Sequence, residues 1–235
     1  MDENERIAKI AIEFARKNKK RIAKDLTDPE KFPIEANPVA VFMAGSPGAG
    51  KTEASQRLIE RFSPQNGGVI RIDSDELRSY MEDYNGTNSS LFQFATSIIA
   101  DKIQDTAIDQ HQSYVFDGTL TNKARAFENI TRCLEHGFAV YILYVYQDPV
   151  QAWSFVKARE LRDGRVVPRE VFIEQYFLAR ESVNELKREF GSKIEVHLIV
   201  KNLDGTDFRY KDNISQIDSH VPEAYTRDTL EKLIV

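Results

Sequence analysis

Residues Val39–Met43 (VAVFM) run into Gly45-Ser46-Pro47-Gly48-Ala49-Gly50-Lys51-Thr52, and this junction narrows the available folds more than any other stretch. A short continuous apolar run suits a strand buried on both faces. The glycine-rich turn interrupts it, and Lys51–Phe62 resumes with Ala54, Leu58, Ile59 and Phe62 at helical spacing. Strand, tight turn and amphipathic helix in succession open a parallel α/β unit. The eight residues satisfy G-x-x-x-x-G-K-[ST] in full. Gly45, Gly48 and Gly50 let the backbone curl until its N–H groups converge on phosphate oxygens, and the following helix N-terminus adds partial positive charge. Lys51 can reach between the β- and γ-phosphates, and the Thr52 hydroxyl can ligate magnesium. Gly45–Thr52, including Ser46, Pro47 and Ala49, is therefore the candidate cradle for a nucleoside triphosphate. The competing explanation is a glycine turn with an incidental lysine.

The rest of the chain supports the same class. Further strands are expected at Val69–Ile72, Tyr114–Phe116, Ala139–Tyr146 and Ile194–Val200. Helices are expected at 5–24, 76–84, 89–110, Lys123–Glu135, Pro149–Leu161, Pro168–Phe190 and Asp228–Leu233, with 201–225 irregular. Strands alternating with helices give an α/β chain: a three-layer P-loop NTPase fold with a mostly parallel five-stranded sheet flanked by helices. We expect residues 1–38 to be an N-terminal helix and linker packed on the main domain. Residues 39–235 would form a P-loop domain with substrate-covering helical segments near 76–110 and 150–190.

Composition excludes several other classes. With 41% apolar and 29% charged residues, including 14 Phe and 9 Tyr, the chain can build an ordinary core. Its net charge of -5 disfavours nucleic acid or anionic membrane as a partner, although residues 1–24 carry eight basic and four acidic side chains. Cys133 stands alone, which removes disulfides and cysteine zinc clusters. No signal-peptide core opens the chain, and Phe138–Tyr146, its most apolar stretch, is far short of the ~20 residues of a membrane helix. These features point to a cytoplasmic protein. His111, His136, His197 and His220 lack metal-ligand spacing.

Carboxylates cluster where strands end. Ile72-Asp73-Ser74-Asp75-Glu76-Leu77-Arg78 follows the second strand, at the sheet edge that faces the ligand crevice in such folds. One carboxylate there can hold magnesium or its waters while another accepts a hydroxyl proton. We assign Asp75 as base and Asp73 as the supporting carboxylate; Asp75 could also be the N-cap of 76–84. Arg78, one turn on, can place positive charge near phosphate or acceptor, or be an ordinary paired arginine. Asp117-Gly118-Thr119 ends the third strand. There Asp117 could organise magnesium-bound water, bind an acceptor or form an Asx-turn, and Thr121 could cap the next helix. Arg159, Arg162 and Arg165 could neutralise charge on a transferred phosphoryl group from a mobile cover, Arg159 and Arg165 first. A GTPase base-reading N-K-x-D motif is missing: Asn18-Lys19 precedes the turn, and Asn122-Lys123 continues as Ala124-Arg125.

This ordered set, spanning most of residues 39–200, resembles the zeta-toxin family of P-loop kinases. The resemblance implies ATP or GTP with Mg2+, and phosphorylation of the amino-sugar 3′-hydroxyl of UDP-N-acetylglucosamine. It implies Asp75 as catalytic base, Lys51 as phosphate lysine, Thr52 as magnesium ligand (with Asp73 or Asp117) and Arg159 with Arg165 as ATP-side arginines. Arg78, Asp117 and Thr119 would contact the acceptor, and a small antitoxin protein is an expected partner. The chain departs from the family pattern in carrying Asp117-Gly118-Thr119-Leu120-Thr121 in place of Glu-Gly-Thr followed by arginine. It also lacks a histidine just after Arg78. Both departures fall on the acceptor side. The rival readings are a kinase for another metabolite or a nucleic-acid hydroxyl, and a nucleotide-controlled regulator that transfers no phosphate.

Overall fold

A computed structural model describes residues 2–66, 68–203, 208–222 and 225–234. The side chains of 63–66 and 208 are outside that description. The chain runs α1 (Glu3–Leu26), β1 (Val39–Ala44), α2 (Lys51–Asn66), β2 (Ile70–Asp73), α3 (Ser74–Arg78), a 3-10 turn at Ser89–Phe92, and α4 (Gln93–Asp109). It continues through β3 (Tyr114–Asp117), α5 (Lys123–Glu135), β4 (Ala139–Tyr146), α6 (Pro149–Asp163) and α7 (Arg169–Phe190). A 3-10 turn at Gly191–Lys193, β5 (Ile194–Lys201), β6 (Phe208–Lys211) and α8 (Arg227–Leu233) complete it.

The result is an α/β fold with a mixed sheet. Its six strands lie in the order β2-β3-β1-β4-β5-β6. The first five are parallel, in the register Val41↔Val115 and Phe42↔Ile142, while β6 runs antiparallel to β5. The expected five-stranded sheet is thus one strand short, and the stretch 201–225 is not wholly irregular. Phe-Arg-Tyr-Lys offers four residues with charges alternating, a short charged edge strand that carries little apolar signal.

Strand alternation divides the core. Ala40, Phe42 and Ala44 point to a large cluster shared with α1, α4, α5, α6, α7 and α8. Val41 and Met43 point to the opposite face, where Ala54, Leu58 and Ile59 of α2 meet Val115, Leu143 and Val145. Helix α1 lies along α4, burying Ala11, Ala15, Ile22 and Ala23. Trp153 packs on Phe172 with ring centroids 5.1 Å apart. Cys133 is buried beside the Tyr114 hydroxyl, 2.8 Å away, and burial pushes its thiol up to about 11.

Local chemistry moved several element ends. Helix 76–84 is instead the five-residue α3, because the Asp73 carboxylate, not Asp75, caps it by accepting the Asp75 N–H at 2.8 Å. Asn122, not Thr121, caps α5. The helix expected over 89–110 begins as a 3-10 turn and becomes α-helical at Gln93. Among the described residues no helix is long and apolar enough to cross a membrane.

Because Ile22 is fully buried in the shared core, Ile22→Ala should lower the free energy of unfolding by about 2–5 kcal/mol. A urea melt followed by far-UV circular dichroism should show one transition at lower denaturant. A separate early transition, with the main one unmoved, would mean that α1 unfolds on its own.

Candidate active site

The turn between β1 and α2 is tied down by contacts only glycine permits. Gly45 (φ 131°) and Gly48 (φ 74°) have positive φ. A Cβ at either would run into a backbone carbonyl, of Val145 at the end of β4 or of Ala152 in α6. The Gly45 N–H also donates to the Thr119 carbonyl at 3.4 Å, so the turn after β3 braces the turn after β1. Lys51 folds back over this loop, its ammonium donating to the carbonyls of Gly45 at 3.0 Å and Ser46 at 2.7 Å. Burial pushes Lys51 down to about 8, opposed by Asp117 and reinforced by Arg165 and Arg159.

A cavity of about 290 Å³ opens beside the turn, lined by Thr52, Asp73, Asp75, Glu76, Tyr84, Arg159, Asp163 and Arg165. Residues from α2, the β2 end, α3 and α6 thereby meet in one place. The Asp75 carboxylate is ringed by guanidinium groups. Arg78 and Arg165 form close ion pairs with its two oxygens, and Arg159 donates at 3.1 Å. Arg165 gets there because Gly164, left-handed at φ 71°, ends α6 and turns the chain back. Arg162 stays outside, paired with its neighbour Asp163 at 2.7 Å.

Arg78 lies behind Asp75 rather than on the cavity wall. It is 3% exposed and also donates to Gln93 Oε1 at 2.9 Å. Asp73 and Asp117 sit side by side on neighbouring strands. Burial, with the Asp117 charge beside it, pushes Asp73 up to about 6, against the pull of Arg71. Asp117 accepts from Ser55 Oγ at 2.9 Å. The Thr119 hydroxyl meets that of Thr121 at 3.1 Å and does not line the cavity.

Arg71 escaped the sequence reading and is central here. Its guanidinium donates to Asp73 at 2.6 Å, Asp117 at 2.7 Å and Ser55 at 3.2 Å, and pairs closely with Glu76. The signal was present, since Arg71 precedes Asp73 by two in a strand and so shares its face. A lone arginine in an apolar strand needs anionic partners when buried.

The site suits a triphosphate with magnesium. Its cradle leaves no room for a Cβ at Gly45 or Gly48, and Thr52, Asp73 and Asp75 supply hard oxygen atoms. Among the described residues no group of three His, Cys, Asp or Glu side chains could hold a metal alone. Magnesium bound largely through substrate phosphates and one or two protein oxygens needs no such group.

The family model described as Zeta toxin matches residues 23–215. This chain belongs to the zeta-toxin family of P-loop kinases. No curated protein matches its sequence. Among solved structures it is similar to one from the PezAT chromosomal toxin–antitoxin system of Streptococcus pneumoniae, at 16% identity and TM-score 0.62 over 94% of this chain and 86% of that one. It is also similar to AvrRxo1-ORF1:AvrRxo1-ORF2 with sulphate ions (15% identity, TM-score 0.59) and AvrRxo1-ORF1:-ORF2 with ATP (15%, TM-score 0.58). In each of these two the match covers 88% of this chain and 65% of the other. At such identities the likeness establishes a shared fold.

A folded-state value of about 8 for Lys51, below its ordinary 10.5, means the unfolded chain binds that proton more tightly. Stability contributed at this position should therefore rise as pH increases from about 8 to 10.5, and the cost of the buried ammonium is fully present at pH 7. Lys51→Met should raise the thermal midpoint of the ligand-free protein at pH 7 and flatten its rise above pH 8. A scan of midpoint against pH for both proteins checks this.

Proposed function

We propose that the protein is a magnesium-dependent kinase that uses ATP or GTP to phosphorylate the 3′-hydroxyl of the amino sugar in UDP-N-acetylglucosamine, as a zeta-type toxin. The observation that carries this reading is Asp75, held on the wall of one small cavity with Thr52, Arg159 and Arg165. A base, a cation ligand and two mobile-side-chain cations around one space are the parts of phosphoryl transfer to an alcohol.

In this mechanism the backbone N–H groups of Gly45–Thr52 hold the donor phosphates. Thr52, with Asp73, holds magnesium, which when bound neutralises charge on the terminal phosphates. Without donor, Asp75 is occupied by arginines. A triphosphate gives Arg159 and Arg165 a more highly charged partner, so they turn to it and release a carboxylate oxygen. That oxygen takes the acceptor proton as the hydroxyl oxygen bonds to the γ-phosphorus and the bond to the β–γ bridging oxygen breaks, leaving ADP or GDP. Lys51, Arg159 and Arg165 stabilise the charge that develops. Arg78 keeps Asp75 in place from behind.

Arg71 and Ser55 engage Asp117 in supporting the β3 end, and Asp117 and Thr119 reach an acceptor only if the turn after β3 shifts. The acceptor assignment therefore rests on family membership more than on lining residues. We place residues 39–235 as the kinase domain, with 1–38 as a helix and linker packed on it. The segments near 76–110 and 150–190 cover the substrate, and a small antitoxin protein is the partner that restrains it.

Incubation with magnesium ATP and a panel of UDP-sugars should add about 80 Da, one phosphoryl group, to UDP-N-acetylglucosamine. Asp75→Asn should cut kcat by about 10²–10⁴-fold while nucleotide still binds. A different metabolite gaining the phosphate would move the acceptor assignment, and full turnover by Asp75→Asn would remove the base. Nucleotide binding without transfer to any acceptor would favour the regulator.

A further inference from the structure

Strand β5 ends on Lys201, which reaches the phosphate-binding turn from outside it. A Cβ on Gly50 would lie 1.9 Å from the Lys201 ammonium and 3.4 Å from Glu53 Oε2. A cation thus sits directly on the last glycine of the turn, at the root of α2. The Lys201 ammonium makes no hydrogen bond or ion pair with a described residue. It is also half-buried, and burial lowers its pKa, with Glu53 opposing. A half-buried ammonium without such a partner is costly, which suits a group that meets its partner in a ligand.

The neighbours of the two lysines show which part of the ligand each would meet. Lys51 feels Asp117, Arg165, Arg159 and Asp73, the groups around the cavity that holds Asp75. Lys201 feels Glu53 and Arg57, on the first turns of α2. Lys51 lies over the Gly45 and Ser46 carbonyls and Lys201 lies against Gly50, so the lysines meet the turn at different places. A triphosphate whose terminal phosphoryl lies beside Asp75 must direct its other end away from that cavity. On the Lys201 side lies a second, mainly apolar cavity of about 1100 Å³, whose walls include Ala54, Arg57, Leu58, Ile199 and Tyr210. Apolar walls with cationic donors at Lys201, Arg57 and Arg61 suit a flat heterocycle bearing nitrogen and oxygen acceptors.

We propose that Lys201 is a donor-positioning residue, donating a hydrogen bond to the nucleoside end of the bound nucleoside triphosphate. This rests on the nucleotide reading of the site given above. Lys51 serves the terminal phosphates, and Lys201 serves the base or ribose at the mouth of the larger cavity.

The test compares two ligands on the full-length protein: Mg·ADP, which carries a nucleoside, and magnesium tripolyphosphate, which does not. Calorimetric titration of Lys201→Met should show the ADP dissociation constant raised about ten-fold, the size of one lost charge-assisted hydrogen bond. Tripolyphosphate affinity should stay within about two-fold. In turnover, KM for the donor should rise while kcat at saturating donor holds, a split that a merely structural role would not produce. Removing an unpaired, half-buried charge should leave the thermal midpoint level or higher. Equal weakening of both ligands would put Lys201 on the phosphates, and an unchanged ADP affinity would give it no part in binding; either result overturns the proposal. If the wild-type protein binds neither ligand, the nucleotide reading falls with it. Wild-type binding with an unaffected variant removes the Lys201 role alone.

Discussion

Charge taken out of water must be matched, and the C-terminal edge of this sheet is built around that requirement. Asp73 and Asp117 lie on adjacent strands, close enough that the Asp117 charge raises the cost of ionising Asp73, and the Arg71 guanidinium donates to both. Asp75, two residues on from Asp73, stands in its own ring of Arg78, Arg159 and Arg165. Removing Arg71 would leave Asp73 and Asp117 without their shared cation, which costs more than the pair contributes. The positions of α3, α6 and the turn after α6 are thereby tied to the same few side chains.

The two charge groups differ in what they can release. Arg71 is held on several sides at once, by Ser55, Asp73, Glu76 and Asp117. Arg159 is on the outer turn of α6 and Arg165 on the segment after it, and both border the open cavity. The first group is a frame and the second a set of exchangeable contacts. A polyanion in the glycine cradle competes with Asp75 for Arg159 and Arg165 but leaves Arg71 where it is. In the kinase mechanism proposed above, association with a donor and exposure of a base become one event through ordinary electrostatic exchange.

Much of this was legible from residue order. The run from Val39 through Thr52 announces strand, turn and helix because its apolar period, glycines and amphipathic stripe are local properties. Ala139–Tyr146 and Lys123–Glu135 have the expected limits for the same reason. Helix 76–84 was overestimated because Asp73 competes for the cap and starts the helix earlier, an outcome that depends on which carboxylate faces the Asp75 N–H. Strand β6 was missed because four alternating charged and aromatic residues mean little until an edge of β5 is there to pair with them. Arg71 was missed because a single arginine within a strand reads as noise until three carboxylates from other positions close around it.

The sequence by itself determined the α/β class, the glycine turn between strand and helix, and the set of acidic and basic residues from which a site could be assembled. These follow from backbone freedom at glycine and from side-chain period, which neighbours along the chain decide. Only the tertiary structure decided that Arg165 reaches Asp75 while Arg162 does not, that Arg78 lies behind Asp75, and that Lys201 rests on Gly50. Those facts depend on the direction in which distant segments approach one another. That direction is set by sheet order and by the turn at Gly164, and residue spacing alone carries no record of it.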